Sequence, residues 1–207
     1  MRELIHLLKY QQVRPAAKVL GGMLAEAVAK LEPTFAGPGL IVPVPLHARK
    51  ERQRGFNQSE MVARVAAKAM GSKGLTLAPE ALTRVRETKS QIGLTSHQRR
   101  EIIRGAFAVP RPERIAGRTI LLVDDVYTTG TTVGECSRML RRAGASKIYV
   151  ATVARTLKLG AVRLEMMAPE TEEENGHFLH AARIAMRLPS VIRLLEYRRI
   201  PHQTRAL

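Results

Sequence analysis

The sequence predicts an α/β fold, a parallel β-sheet flanked by helices and followed by a helical C-terminal tail. Three observations carry this. Residues 118 to 154 read as strand, helix, strand, which is one right-handed βαβ unit. "LIVPV" at 40 to 44 is a second short apolar run of the kind that fills a sheet interior. Helical apolar periodicity at 15 to 31 and 58 to 70 supplies layers to cover such a sheet.

The elements follow in order. Leu4, Leu7 and Leu8 predict a short helix over 3 to 10. Val19, Leu20, Met23, Leu24, Ala27, Val28 and Leu31 share one face of a helix over 15 to 31, and "EPTFAGPG" ends it. After the strand 40 to 44, "PLHARKERQRGF" reads as a loop dense in Arg and Lys. Asn57 then suits an N-cap, with Glu60 three residues on to complete a capping box, and Gly71 stops the helix. Residues 81 to 104 are polar and read as irregular, a segment of the kind that is functional or disordered. "AFAV" at 106 to 109 is a short strand and "RTILLVDD" a buried one. "TTVGECSRMLRRAGA" is a helix with Val133, Cys136, Met139 and Leu140 inward, and "KIYVATVA" a further strand. Beyond Arg155 an acidic linker, "MAPETEEENG", precedes two basic amphipathic segments within 177 to 200, which read as helices separated by Pro189. The division expected is one domain over 1 to 156 and an extension over 157 to 207.

Composition narrows the function class. The 207 residues are 45% hydrophobic and 25% charged, normal for a globular protein with a real core. There is no bilayer-spanning run and no secretory signal at the start, so a cytoplasmic protein is expected. One cysteine, Cys136, excludes an internal disulfide and a cysteine-rich metal site, and it reads as a packed small hydrophobe. The net charge of +16 favours polyanionic partners, among them nucleic acid and phosphorylated metabolites. With only 4% aromatic residues, stacking platforms for single strands are scarce, so any nucleic-acid association is expected to be weak.

The chemistry concentrates in "ILLVDDVYTTGTT", 120 to 132. A ligand in an α/β protein sits outside the carboxyl ends of the parallel strands. The loop 128 to 132 lies there and opens a helix, whose N–H groups and dipole favour an anion. Gly130 lets the backbone come close, and the threonine hydroxyls add donors. No P-loop and no dinucleotide glycine motif occurs in the chain. Asp124 and Asp125 would repel a phosphate unless they serve sugar hydroxyls or a hydrated divalent cation; their bland role is to cap a turn. A phosphate, a vicinal diol and a magnesium-bound polyphosphate occur together in phosphoribosyl pyrophosphate (PRPP).

The same thirteen residues resemble the PRPP-binding motif of type I phosphoribosyltransferases. "VPVPLHARKERQRGFNQSE" and "TKSQIGLTSHQRREIIRGAF" resemble segments of the ComF family within that superfamily, over about residues 2 to 155. The resemblance implies a type I phosphoribosyltransferase-like sheet with a small hood, built from the N-terminal helices and the segment near 81 to 109. It implies that Asp124 and Asp125 meet ribose hydroxyls or magnesium-bound water, and that Val126, Tyr127, Thr128, Thr129, Gly130, Thr131 and Thr132 form the PRPP loop. Pro45, Leu46, His47, Arg49 and Arg54 would meet pyrophosphate. Thr88, Lys89, Gln91 and Gly93 would lie in a lid, with Lys89 joining the acids in catalysis. Arg84 and Arg86 are further cations of that segment. Most members carry an N-terminal cysteine-rich zinc module, absent from this sequence, and Asn where Ile102 stands. Mg2+ is the expected cofactor, PRPP and a nitrogenous base or other amine the expected substrates, and a homodimer an expected assembly. Two functions remain open at this point: a transferase releasing pyrophosphate, and a non-catalytic PRPP-binding or nucleic-acid-associated accessory protein of DNA uptake.

Overall fold

In the computed structural model, the described residues are 14–29, 38–71, 74–88, 95–127, 129–153, 179–182 and 193–199. The expected helix over 3 to 10 and the acidic linker lie outside them, as do Lys89, Gln91, Gly93 and Thr128.

Helix α1 (Arg14–Ala29) is followed by β1 (Gly39–Pro43), α2 (Ala48–Arg54), α3 (Gln58–Met70) and β2 (Leu75–Leu77). A short hairpin, β3 (Thr83–Arg84) with β4 (Phe107–Ala108), encloses α4 (Ser96–Ile103). Then come β5 (Thr119–Asp124), α5 (Thr131–Arg142) and β6 (Lys147–Thr152), and finally β7 (Leu179–Ala182) and β8 (Arg193–Arg199). The main sheet runs β2-β1-β5-β6-β8-β7, with β2, β1, β5 and β6 parallel.

Alternation along the strands divides the core in two, because successive side chains face opposite sides of a sheet. Ile41, Leu121, Val123, Tyr149 and Ala151 meet Leu20, Leu24 and Val28 of α1 and Val62 and Ala66 of α3 on one face. Val42, Ile120, Leu122, Ile148 and Val150 meet Val133, Cys136 and Leu140 of α5, with Ile103 and Phe107, on the other. Pro43 fits this central strand for a local reason. Its neighbour Val44 donates to Val123 O, and Ile41 O accepts from Ala78, so odd-numbered residues of β1 turn towards β2. The register with β2 ends at Ile41–Leu77, and the missing N–H of Pro43 breaks no ladder bond.

Four expectations are corrected. The basic loop contains a helix, α2, which buries no residue and so has no apolar stripe to betray it. Strong helix formers fill it, the His47 side chain accepts from Arg49 N–H at its start, and Gly55 ends it at φ +78°. Asn57 does cap α3, accepting from Ser59 N–H, but Glu60 closes no box; its carboxylate takes the Arg64 guanidinium one turn on. Within the polar stretch 81 to 104, Thr95 and Gln98 form the reciprocal capping box that starts α4. Where the expected C-terminal helices are described, at Leu179–Ala182 and Arg193–Arg199, the chain forms strands instead. β8 pairs antiparallel with β6, Tyr149 opposite Glu196 through Thr152 opposite Arg193, and β7 pairs with β8. A helix would satisfy only its own backbone, whereas these strands also pair the N–H and C=O groups of the β6 edge.

Candidate functional site

The chain leaves β1 towards β2 on one side and leaves β5 towards β6 on the other. The loops after these two adjacent strands therefore diverge, opening a crevice at their carboxyl ends. The two loops are the sequence stretches expected to meet pyrophosphate and phosphate.

Asp124 is the last residue of β5 and is buried. One carboxylate oxygen accepts from the Asp125 N–H at 2.9 Å and from the Ser59 hydroxyl at 3.3 Å. Asp124 thus does cap its own turn, and it is also tied to the start of α3. Asp125 stands in the bend just past the strand and is only half-buried. The two acids are therefore unequal, the first buried at the strand end and the second half-buried in the bend after it. Val126 and Tyr127 then turn to opposite core clusters.

The loop reaches α5 through Gly130, at φ +76° and ψ −3°, a left-handed conformation that glycine adopts without strain. A Cβ there would lie 2.8 Å from Cζ of Tyr127, so the phenol ring covers the glycine closely. No side chain among the described residues caps α5, and its first turn carries no acid. The hydroxyls of Thr129 and Thr131 are 2.8 Å apart, and Thr129, Thr131 and Thr132 are half-buried. Backbone N–H groups, hydroxyls and the positive end of the helix dipole thus converge where an anion would be held.

Across the crevice, Val44 N–H bonds Val123 O at 2.8 Å and the Asn57 amide bonds Val44 O at 3.1 Å, fixing the end of β1. Pro45, Leu46 and His47 follow directly, half-buried, and His47 forms an isolated parallel bridge with Arg84. Arg49 is exposed and pairs with Glu87 at 3.4 Å. Arg54 ends α2 and is half-buried. The expected pyrophosphate residues therefore occupy one loop and the short helix after it.

Two contributions escaped sequence reasoning. Ser59 looked like an ordinary first-turn residue of α3, and only the fold brings its hydroxyl to Asp124, 65 positions away. Glu135 lies among the inward residues of α5, is buried, accepts from Gly105 N–H at 2.7 Å and receives both Nε and Nη2 of Arg138. Burial alone would raise the Glu135 carboxyl. The Arg138 and Gly105 hydrogen bonds, with the charges of Arg138 and Arg104, outweigh that and hold it below the usual carboxylate value. It fastens the turn after α4 to the helix that carries the phosphate loop. A lone acid on an apolar helical face was the signal for it.

Residues 58–165, just over half of the chain, match the family model described as the phosphoribosyl transferase domain. The chain belongs to the phosphoribosyltransferase family. Its curated relatives place it in the ComF branch. DNA utilization protein YhgH of Escherichia coli K12 is 35% identical over 156 residues, which is 74% of this chain and 66% of the relative. Competence protein F of Haemophilus influenzae is 34% identical over 156 residues, 73% of this chain and 66% of the relative. The chain thus spans 66% of the length of these curated relatives. A second family model, HNH endonuclease-associated, N-terminal domain, matches residues 148–202. Among solved structures, glutamine PRPP amidotransferase from B. subtilis is 25% identical, with a TM-score of 0.44, covering 67% of this chain and 26% of that one. No helix among the described residues is long and apolar enough to cross a membrane.

Proposed function

We propose that this phosphoribosyltransferase-family protein binds PRPP with Mg2+ and transfers its phosphoribosyl group to a nitrogenous acceptor, releasing pyrophosphate. The observation that carries this is the acid pair at the end of β5, followed within one loop by an uncapped helix N-terminus approached through a left-handed glycine. Under this reading the backbone and hydroxyls of the loop 126 to 132 hold the 5-phosphate. Asp125 and Asp124 accept from the ribose diol, and Ser59 orients Asp124. Pro45, Leu46, His47, Arg49 and Arg54 line the pyrophosphate side, and Lys89 belongs to the segment that would cover it. Cations at the leaving group offset the charge that grows on pyrophosphate as the C–O bond at the anomeric carbon breaks.

The donors suit magnesium. Mg2+ keeps most of its water and binds through one or two carboxylates plus substrate phosphates. No cluster of three or more metal-ligating side chains occurs among the described residues, and two adjacent aspartates fit a cation that the substrate itself helps to hold. The metal would supply charge neutralisation of the diphosphate.

A second reading has its own support. The net charge of +16, the names of the DNA utilization and competence relatives and the HNH-associated match over 148–202 favour a PRPP-binding accessory protein that works with nucleic acid. We divide the chain near 156 for this purpose, with the transferase unit before and a partner-facing extension after. The deciding experiment is pyrophosphate release from PRPP with a panel of bases and amines, run beside calorimetry of PRPP with and without Mg2+. Release with any acceptor supports the transferase. Binding without release, together with a salt-dependent shift of DNA, supports the accessory role. Absence of PRPP binding rejects both.

A further inference from the structure

Arg84 is the last residue of β3, and its bridge to His47 roots it beside the loop that follows β1. Its guanidinium lies over the Phe107 ring, 5.4 Å from the centroid, and Nη2 donates to the Thr88 hydroxyl. Nε is buried and has no acceptor among the described residues. No carboxylate among the described residues forms an ion pair with it. Burial lowers its pKa, while the carboxylates of Asp124 and Glu87 act through space to raise it. Glu87 is itself engaged by Arg49. A half-buried guanidinium keeps its proton, and keeping it unpaired costs stability. Phe107 beneath the guanidinium and the Thr88 hydroxyl on Nη2 hold the group in place, and a planar guanidinium can meet two oxygens of one anion.

We propose that Arg84 is an anion-anchoring residue of the site. It receives the diphosphate oxygens on the β1 side of the crevice, while the N-terminus of α5 receives the phosphate monoester on the β5 side. The assignment rests on the PRPP reading and makes the site selective for ligands that are anionic at both ends. A ribose monophosphate would satisfy only one end and leave Arg84 uncompensated.

The test is calorimetry of the full chain with two separate probes, inorganic pyrophosphate in the presence of Mg2+ and ribose 5-phosphate. Arg84→Met keeps an unbranched stem against Phe107 and removes the charge. It should bind pyrophosphate about tenfold or more weakly, the loss of one or more charge-assisted hydrogen bonds. Its affinity for ribose 5-phosphate should change less than about twofold, a shift too small to count as a lost hydrogen bond. Arg84→Lys retains charge without the fork, should melt like the parent, and should lose part of the pyrophosphate affinity. Unchanged pyrophosphate binding in either variant overturns the proposal. So does equal weakening of both probes, which would mark Arg84 as structural. Parent protein that binds neither probe would instead defeat the PRPP reading, and this assignment with it.

Discussion

Replacing Gly130 by alanine tests the phosphate loop most directly, because two separate costs can be read from the backbone and from Tyr127. At φ +76° an L-residue pays about 1–2 kcal/mol for the left-handed conformation. The new Cβ also meets the Tyr127 ring, 2.8 Å from Cζ, and the ring must swing out of its place against the α5-side core. Overpacking of this kind costs about 1–3 kcal/mol. The sum, about 2–5 kcal/mol, is a large fraction of a typical stability of about 5–15 kcal/mol. Urea denaturation followed by circular dichroism measures it. Tyr127→Ala removes the obstacle and not the backbone strain, so the double variant should recover about 1–3 kcal/mol relative to additivity. Ribose 5-phosphate affinity should fall in Gly130→Ala, because the first-turn N–H groups of α5 move with the loop. A loss of less than about 0.5 kcal/mol, or strictly additive single variants, would show that Tyr127 and Gly130 are not coupled as described.

Asp124→Asn with Asp125→Asn should weaken PRPP binding roughly tenfold or more, since each charge-assisted hydrogen bond contributes about 1.5–3 kcal/mol; unchanged calorimetric affinity would reject the assignment of the acids. Glu135→Gln should cost about 1–3 kcal/mol, discounted because Arg138 remains partly exposed. Because Glu135 titrates below its ordinary value when folded, its contribution is present above the usual carboxylate range and is lost as pH falls through the depressed folded value. The parent should therefore lose stability on acidification below about pH 4–5 more steeply than Glu135→Gln; urea melts giving parallel pH profiles would refute this. Deletion after Arg155 removes β8 and uncovers the β6 edge, so the truncated chain should melt lower and self-associate on size-exclusion chromatography. A truncated chain that stays monomeric with an unchanged melting temperature would contradict this pairing.

The signals read correctly in the sequence were local ones. A six-residue apolar strand ending in an acid, a helix opened by glycine and threonine, and an asparagine cap each depend on neighbours a few positions apart. The stretch 120 to 132 is such a unit, and its strand, turn and helix start were legible from contiguous residues. The resemblance to phosphoribosyltransferases rested on the same contiguous residues.

What the fold decided is of three kinds. Helix α2 has no buried face, so periodicity was silent and its caps at His47 and Gly55 carry it. The segment 193 to 199 has apolar and basic residues that suit a helical stripe as well as a strand, and the open edge of β6 resolved the ambiguity through backbone pairing. The reach of Ser59 to Asp124 and the placement of Arg84 over Phe107 join residues 65 and 23 positions apart. Sequence determines which chemical groups the chain possesses and how each short stretch prefers to bend. Which distant groups share one crevice is set by the order of the strands, because the carboxyl ends of β1 and β5 become neighbours only when the sheet forms.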